Sequence, residues 1–190
     1  MRDIVLIITA AGLGRRLKEY SLNKYGKYLD KPLVKLKNKS LLEWSIKPFF
    51  PLVTSGFLKF SSIYIVIRKD QDEEEFKKEI TKIHSKINIV SIDKLSQGPG
   101  HTAFEACQKI NKFRSIEKST LIVSDSDHTF RSDALVNFFK DKSNKKFNAF
   151  CTLKSVPNPE KWGYVYKNKK EFISGEKDIL EQSNNIKSKA

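Results

Sequence analysis

Short apolar runs recur along the chain and are separated by segments with helical spacing. The first run, residues 4–8, is unbroken and rich in β-branched side chains, and it ends in small residues. A run of this kind predicts a central strand that is buried on both faces of a sheet. The same pattern predicts further strands at residues 62–67, 87–92, 120–123 and 147–153.

Helix signals fall between these strands. Ser40 and Glu43 are spaced as a capping box, in which the serine hydroxyl and the glutamate each satisfy a free amide of the first turn. The helix that they begin is predicted to run to about Lys47, where Pro48 interferes. Further helices are predicted at residues 70–84, 100–110 and 132–140.

The predicted helix over residues 70–84 has the clearest amphipathic pattern. Its buried face is predicted from an apolar stripe at helical spacing, formed by Phe76, Ile80 and Ile83. Acids precede lysines by four residues, a spacing that favours ion pairs along a helix, at Glu73/Lys77 and Glu74/Lys78.

Strands that alternate with helices predict an α/β fold, with three α/β/α layers around a mostly parallel mixed sheet. The alternation ends after Phe147, where strand-like segments at residues 164–166 and 171–173 follow without a clear helix. A chain of 190 residues suits one domain. We therefore predict a single domain, in which residues 1–145 bind one ligand and residues 146–190 begin a region for a second.

Lysine dominates the charge of the chain. The net charge is +14, and only six of the 36 basic residues are arginine. The lysines are scattered and often stand near acids, whereas nucleic-acid binders usually cluster their basic residues on one face. A lysine-rich solvated surface is therefore favoured over a nucleic-acid groove.

The cysteines and the apolar runs indicate the expected cellular setting. Cys107 and Cys151 lie in apolar runs without a CxxC or Cys/His pattern, which predicts small buried thiols and no zinc site. The early apolar run is too short for a membrane span or a signal peptide. A reducing, cytoplasmic location without membrane attachment is expected.

A small-residue loop follows the first strand directly, at residues 9–17. Gly12 and Gly14 let the backbone approach a ligand, free amides there can cradle an anion, and Arg15 and Arg16 add planar cationic donors. Leu17 stands where a dinucleotide fingerprint needs its third glycine, and the Gly-Lys-Ser/Thr of a Walker A loop is absent. The loop therefore predicts triphosphate binding at the carboxyl edge of the sheet.

Acids follow the predicted strand at residues 120–123. Carboxylate oxygens at a strand end suit Mg²⁺, which also binds phosphate oxygens. Asp125 and Asp127 are therefore the candidate metal ligands, while a turn or helix cap is the structural alternative.

The glycine loop and the segments after it resemble the nucleotidyltransferase family that activates sugar 1-phosphates and phosphocholine. The matching residues fall in three groups: Ala10, Ala11, Gly12, Gly14, Arg16 and Leu17; then Lys31, Pro32 and Leu33; then Leu41, Leu42 and Glu43. Asp30 stands where the family usually has proline. The resemblance implies a Rossmann-like nucleotide-diphospho-sugar transferase fold, with the nucleotide bound by residues 1–145 and the acceptor by residues 146–190.

The resemblance also implies roles for individual residues. Arg16 and Lys31 are the expected catalytic residues, Arg16 on the triphosphate and Lys31 on the incoming phosphate. The family's pattern places Mg²⁺ at Asp127, with Asp125 as the second choice. The expected nucleotide-binding residues are Ala10, Ala11, Gly12, Leu13, Gly14 and Arg15, joined by Gly98, Gly100 and Thr102 of a turn that reads the nucleobase in the family. The expected acceptor-binding residues are Gly163, Glu176 and Lys177. His101 is expected to be structural.

The expected reaction joins a nucleoside triphosphate to a small phosphorylated acceptor, a sugar 1-phosphate, phosphocholine or a related group of surface-polysaccharide assembly. The family's chains usually continue further and supply a second acidic metal ligand, which this sequence does not allow to be assigned. The chain is expected to be truncated at its C-terminus, a fragment of a longer protein or a degenerate member of the family. The motifs leave the nucleobase, the acceptor and the oligomeric state open.

Two alternatives remain at this stage. A metal-dependent glycosyltransferase would use an Asp-x-Asp motif, and Asp125-Ser126-Asp127 has that spacing. A non-catalytic basic module that binds nucleotide or nucleic acid would explain the charge, but it gives no reason for Asp127 at a strand end.

Overall fold

The computed structural model describes residues 3–140 and the backbone of two short strands, Tyr166–Lys167 and Phe172–Ile173. The chain separates into two compact units, Met1–Asn144 and Lys145–Ala190. The strand predicted at residues 147–153 and Cys151 lie outside the described residues.

Strands and helices alternate in the first unit. Its strands are β1 (Ile4–Thr9), β2 (Lys35–Leu36), β3 (Lys39–Ser40), β4 (Ile63–Arg68), β5 (Asn88–Ile92) and β6 (Thr120–Asp125). Its α-helices are α1 (Lys18–Tyr25), α2 (Leu41–Ile46), α3 (Phe50–Thr54), α4 (Glu73–Ile83), α5 (Pro99–Asn111) and α6 (Asp133–Lys140). Single 3₁₀ turns occupy Arg15–Leu17, Lys31–Leu33, Lys47–Phe49 and Phe60–Ser62.

Four of these strands form one parallel sheet in the order β5-β4-β1-β6. In β1, Ile8 lies opposite Ile65 of β4 on one side and Ser124 of β6 on the other. Because the strands are parallel, their carboxyl ends meet at one edge, where ligands usually bind in such folds. The loops that follow β1 and β6 therefore lie side by side.

Helices cover both faces of the sheet. Successive strand residues point to opposite faces, so Leu6 and Ile8 belong to one core and Val5 and Ile7 to another. The first core contains residues of α2, α4 and α6, including Leu42, Ile46, Phe76, Ile80 and Leu135. The second contains residues of α5, namely Ala103, Ala106 and Ile110. This arrangement confirms the predicted α/β/α layers.

The Ser40 half of the predicted capping box at α2 is formed, but the Glu43 half is not. The Ser40 hydroxyl accepts a hydrogen bond from the Glu43 amide at 3.0 Å. The Glu43 carboxylate instead pairs with Lys39. The predicted end of the helix near Lys47 is confirmed, because α2 ends at Ile46. Pro48 then occupies the first turn of a 3₁₀ segment, where a missing amide costs nothing, and the chain continues into α3.

Helix α4 begins three residues later than predicted. Asp72 is its N-cap, accepting from the Glu75 amide at 3.0 Å, because Asp70 is held by Arg68 instead. Lys77 pairs with both Glu73 and Glu74, at 3.1 and 2.9 Å, in place of the predicted Glu74/Lys78 pair. The predicted stripe is confirmed, with Phe76 and Ile80 buried and Ile83 partly buried.

Strand β6 is longer and less buried than predicted. It extends to Asp125, and Leu121 and Val123 remain 44% and 49% exposed. Within the part of the chain that the structure describes, β6 has a partner only on the β1 side. The prediction of a strand buried on both faces was therefore wrong.

In the second unit, β7 (Tyr166–Lys167) and β8 (Phe172–Ile173) form an antiparallel pair. They fall at the segments predicted as strands, and Tyr166 lies opposite Ile173. Among the described residues, no helix is long and apolar enough to cross a membrane.

Candidate functional site

The glycine loop leaves the buried end of β1 and turns sharply. Ala10 and Ala11 are buried, and the Ala10 amide donates to Val66 of β4 at 2.8 Å. Gly12 is exposed. Gly14 has φ 60° and ψ 18°, the left-handed conformation that glycine adopts most readily, and it begins the 3₁₀ turn that carries Arg15 and Arg16. The predicted loop after the first strand is thus present.

Arg15 and Arg16 extend into solvent from this turn. Neither side chain makes a hydrogen bond or an ion pair with another residue of the described chain. These two guanidinium groups carry a permanent positive charge and are available to an anionic ligand above the loop.

The 3₁₀ turn Lys31–Leu33 places Lys31 against the glycine loop. Pro32 and Leu33 are buried and anchor the turn, and the Leu33 amide donates to the Asp30 carbonyl at 2.8 Å. A Cβ atom added to Gly14 would lie 2.9 Å from the Lys31 Cβ. The absence of a side chain at Gly14 is therefore what lets the two segments touch.

Lys31 reaches across the site to Asp127. Its ammonium group forms an ion pair with the Asp127 carboxylate, and the two side chains are 36% and 25% exposed. The residues are 96 positions apart in the sequence. The structure thus brings together the lysine expected to bind phosphate and the aspartate expected to bind metal.

Several contacts hold the loop after β6 in place. The Asp125 carboxylate accepts from the Thr9 hydroxyl of β1 at 3.3 Å and lies 2.9 Å from Nδ1 of His128. The same nitrogen lies 3.9 Å from the Asp127 carboxylate. Phe130 packs edge-on against Phe49, with ring centroids 5.2 Å apart. Asp125 is therefore engaged in organising the loop, while Asp127 faces Lys31.

The described residues contain no cluster of three or more His, Cys, Asp or Glu side chains arranged to hold a metal ion. The local donors are nonetheless chemically suited to Mg²⁺, since Asp125 and Asp127 supply hard carboxylate oxygens. Mg²⁺ is commonly held by one or two carboxylates together with substrate phosphates and water. The donor set therefore fits a metal that arrives with a triphosphate.

Helix α5 begins at the same edge of the sheet. Gly98 is its N-cap and is half-buried, and Gly100 lies in its first turn and is exposed. The Thr102 hydroxyl is buried, where it donates to the Gly98 carbonyl at 3.1 Å and contacts the Ser96 hydroxyl. Thr102 thus closes the first helical turn, and its contact with a nucleobase stays a prediction. His101 lies 3.2 Å from Glu105, a structural pairing.

A polar network lies beneath the glycine loop, and sequence reasoning missed it. Arg68, at the end of β4, and Gln71 are 6% and 7% exposed. Arg68 Nη1 donates to the Ala11 carbonyl, and Gln71 Nε2 donates to the Ala10 carbonyl at 3.1 Å. A cationic residue closing a buried strand was a detectable signal, because such a charge needs partners.

The pKa values of two carboxyl groups beside this network shift in opposite directions. Burial raises the pKa of Asp30, although a hydrogen bond from Gln71 and the nearby Arg68 guanidinium oppose the rise. The hydrogen bond from Arg68 lowers the pKa of Asp70. Burial, with the charge of Asp30, also raises the pKa of Tyr28, whose hydroxyl donates to the Leu13 carbonyl at 3.1 Å.

The residues expected to bind the acceptor, Gly163, Glu176 and Lys177, lie outside the described residues. Their contacts with a ligand stay a prediction.

Comparison with known proteins identifies a family and a fold. The family model described as nucleotidyl transferase matches residues 5–181. A search among curated proteins found no match. A solved structure of a candidate glucose-1-phosphate thymidylyltransferase from Bacillus anthracis, in complex with a sucrose, is 20% identical, covers 90% of this chain and 63% of its own, and has a TM-score of 0.65.

A nucleoside-diphosphate-sugar pyrophosphorylase from Vibrio cholerae RC9 is 16% identical, with 67% of this chain and 49% of that chain covered and a TM-score of 0.47. The chain therefore spans 49% and 63% of the lengths of these two structures. At such identities, the Bacillus anthracis structure supports the fold, which is the Rossmann-like α/β fold expected from the sequence.

Proposed function

This chain belongs to the nucleotidyl transferase family, and we propose that it transfers a nucleoside monophosphate from a nucleoside triphosphate to a sugar 1-phosphate or a similar small phosphorylated acceptor. Pyrophosphate is the second product. The observation that carries the proposal is the ion pair between Lys31 and Asp127 beside the Gly14 turn. It supports the proposal because the lysine proposed to bind phosphate, the aspartate proposed to bind metal and the loop proposed to bind triphosphate are neighbours.

The triphosphate is expected over the glycine loop. Free amides of residues 12–14 and the exposed guanidinium groups of Arg15 and Arg16 would bind its oxygens. Its position at the carboxyl edge of a parallel sheet matches the usual ligand site of such folds. Gly98, Gly100 and Thr102 at the start of α5 remain the proposed contacts of the nucleobase.

The reaction requires no protein nucleophile. An oxygen of the acceptor phosphate attacks the α-phosphorus, the bond from that phosphorus to the oxygen bridging to the β-phosphorus breaks, and pyrophosphate leaves with the electron pair. Negative charge grows on the equatorial oxygens during this step, so correctly placed cations stabilise the transition state. Lys31 is proposed to hold the attacking phosphate, and Arg16 the triphosphate.

Asp127, with Asp125 beside it, would hold Mg²⁺. The ion supplies charge neutralisation to the triphosphate when bound. Lys31 forms an ion pair with Asp127. Binding of Mg²⁺ at Asp127 would compete with this ion pair. The acceptor is proposed to contact Gly163, Glu176 and Lys177.

A metal-dependent glycosyltransferase is the alternative that one observation favours, since Asp125 and Asp127 both lie at this site. The contacts of Asp125 with Thr9 and His128 reduce its availability as a metal ligand. A basic nucleic-acid module is less well supported, because many lysines pair with acids, as Lys27 does with Glu75 and Lys69 with Asp93.

The decisive experiment is calorimetric titration of the purified chain with CTP, UTP, dTTP, GTP and ATP, each with Mg²⁺, beside a DNA oligonucleotide at matched salt. The proposal expects selective binding of one triphosphate that Arg16→Ala weakens. Pyrophosphate release with sugar 1-phosphate acceptors then tests the reaction, since a glycosyltransferase would release a nucleoside diphosphate. Binding of the oligonucleotide alone, with a steep salt dependence, would favour the basic module.

A further inference from the structure

Two buried polar side chains hold the carbonyl groups of the glycine loop from below. Arg68 ends β4, and Gln71 lies in the turn before α4. Arg68 donates to the Ala11 carbonyl and Gln71 to the Ala10 carbonyl. The loop is 57 residues from Arg68 and 61 from Gln71, so these are tertiary contacts rather than features of a local turn.

The two side chains are themselves fixed. Gln71 Oε1 accepts from the Arg68 amide at 2.7 Å, which sets the orientation of the Gln71 amide group. Arg68 Nε and Nη2 donate to the two oxygens of Asp70 at 2.8 and 3.3 Å, a bidentate contact that sets the guanidinium plane. The donors that meet the loop therefore arrive with little rotational freedom.

Fixing these carbonyls also fixes the amides on the other side of each peptide plane. A trans peptide is planar, and its N–H points away from its C=O. When the Ala10 and Ala11 carbonyls are drawn toward Gln71 and Arg68, the amides of Ala11 and Gly12 turn away from the network. Gly12 is exposed, so an amide turned away from the network would be accessible to a ligand.

A stabilising role in the fold does not account for this arrangement. Burying a guanidinium group is costly, and a buried ion pair often stabilises a protein no more than apolar side chains of the same volume. The partner here, Asp70, is 71% exposed, so its screened charge offsets little of that cost. The presence of an arginine and a glutamine at these positions is better explained by their hydrogen bonds to the glycine loop.

We propose that Arg68 and Gln71 are positioning residues, which hold the peptide planes of the glycine loop in the orientation that binds a triphosphate. The inference rests on the proposed function of the loop and adds to it two residues outside the ligand-binding motifs.

The test compares Arg68→Met and Gln71→Met with Arg114→Met. The control removes a partly buried arginine that pairs with Asp3 and with the Tyr64 hydroxyl, at the opposite edge of the sheet. Two quantities are measured: affinity for inorganic tripolyphosphate with Mg²⁺, which does not depend on the nucleobase, and amide hydrogen exchange over residues 10–14 and 120–125.

We expect Arg68→Met and Gln71→Met to weaken tripolyphosphate binding about tenfold or more, the effect of losing one charge-assisted or well-aligned hydrogen bond. Exchange should accelerate at the Ala10 amide, which is hydrogen-bonded to Val66, and stay unchanged at residues 120–125. Arg114→Met should lower the melting temperature without either effect. Arg68→Lys should recover part of the affinity, because a lysine can still donate to the Ala11 carbonyl.

Wild-type affinity in Arg68→Met and Gln71→Met would overturn the inference, as would an equal loss in Arg114→Met. If Arg68→Met does not fold, Gln71→Met and Arg68→Lys decide the matter. If the wild-type protein binds neither tripolyphosphate nor any nucleoside triphosphate, the proposed function fails. Unchanged exchange at the Ala10 amide in the folded variants would separately show that the network does not hold the loop.

Discussion

Gly14 and Lys31 touch so closely that a single methyl group on the glycine would displace the lysine. A Cβ at Gly14 would lie 2.9 Å from the Lys31 Cβ and 3.4 Å from the Lys31 amide nitrogen. The same glycine has φ 60°. One residue therefore determines both the course of the glycine loop and the position of the lysine that faces Asp127.

Gly14→Ala is expected to combine backbone strain of roughly 1–2 kcal/mol with movement of Lys31, and so to reduce both stability and triphosphate affinity. Gly26→Ala is the matched control. Gly26 has a similar φ of 68°, but nothing lies within 4 Å of its added Cβ. Denaturant unfolding should show similar losses of stability from strain, while calorimetry should show weakened nucleotide binding in Gly14→Ala alone. Equal nucleotide affinity in the two variants would contradict the steric role of Gly14.

Lys31→Met is expected to affect turnover and metal binding in opposite directions. Loss of a cation that stabilises transition-state charge should lower kcat by about 10²- to 10³-fold. Because Asp127 also loses its partner, less Mg²⁺ should be needed for half-maximal nucleotide binding.

Lys39→Met provides the control for this prediction. Lys39 pairs with Glu43, and their side chains are 38% and 26% exposed, nearly the same as the Lys31–Asp127 pair. Metal dependence and turnover should be unchanged in this variant. A higher Mg²⁺ requirement in Lys31→Met would mean that the ion pair does not compete with the metal.

Asp30→Asn is expected to stabilise the folded protein at neutral pH. Burial raises the pKa of Asp30 above its ordinary value of 3.8, so the folded state favours the protonated form. The protonated carboxyl makes its full favourable contribution to the free energy of unfolding below the ordinary pKa. This contribution is lost as the pH rises through the raised pKa. The advantage of Asp30→Asn should therefore shrink as pH falls through that interval.

Urea unfolding from pH 3 to pH 8 measures this dependence. Asp93→Asn is the opposite case, because hydrogen bonds from Lys69 and Lys109 lower the pKa of Asp93. The contribution of ionised Asp93 to the free energy of unfolding is present above the ordinary pKa and is lost as the pH falls through the lowered pKa. If Asp30→Asn showed the same pH trend as Asp93→Asn, burial would not be the dominant influence on the pKa of Asp30.

Ser40→Ala is expected to destabilise the protein by about 1 kcal/mol, the usual cost of an N-cap, without altering nucleotide affinity. The Ser40 hydroxyl satisfies the Glu43 amide. Asp72→Ala removes the equivalent cap of α4 and should cost a similar amount. Thermal unfolding with calorimetric titration measures both quantities. A large loss of nucleotide affinity in Ser40→Ala would show that α2 also shapes the site.

The local predictions succeeded where each element carries its own signal. The β1 run was recognised as a buried strand because five apolar residues in succession suit both faces of a sheet. The Phe76–Ile80 stripe of α4 was found because helical period is a property of neighbouring residues. The start of α4 was misplaced because Asp70 is engaged by Arg68, a contact that periodicity does not encode.

The residues of the candidate site differ in the same way, since some carry a local signal and others do not. The glycine loop, Lys31 and Asp127 could each be named from residue type and spacing, although their roles stay proposals. Arg68 and Gln71 were overlooked because an arginine at the end of an apolar run and a glutamine in a polar turn carry no motif. Their importance emerges only from burial and from the carbonyl groups that they meet.

By itself, the sequence determined the α/β alternation, the glycine loop after the first strand and the cap at Ser40, because each depends on residues within a few positions of one another. Only the tertiary structure decided that Lys31 meets Asp127 and that Arg68 meets the glycine loop. Parallel pairing of β1 with β4 and β6 brings these residues to one edge across long intervals of chain. Such contacts follow from the order of strands in the sheet, which no local pattern of side chains specifies.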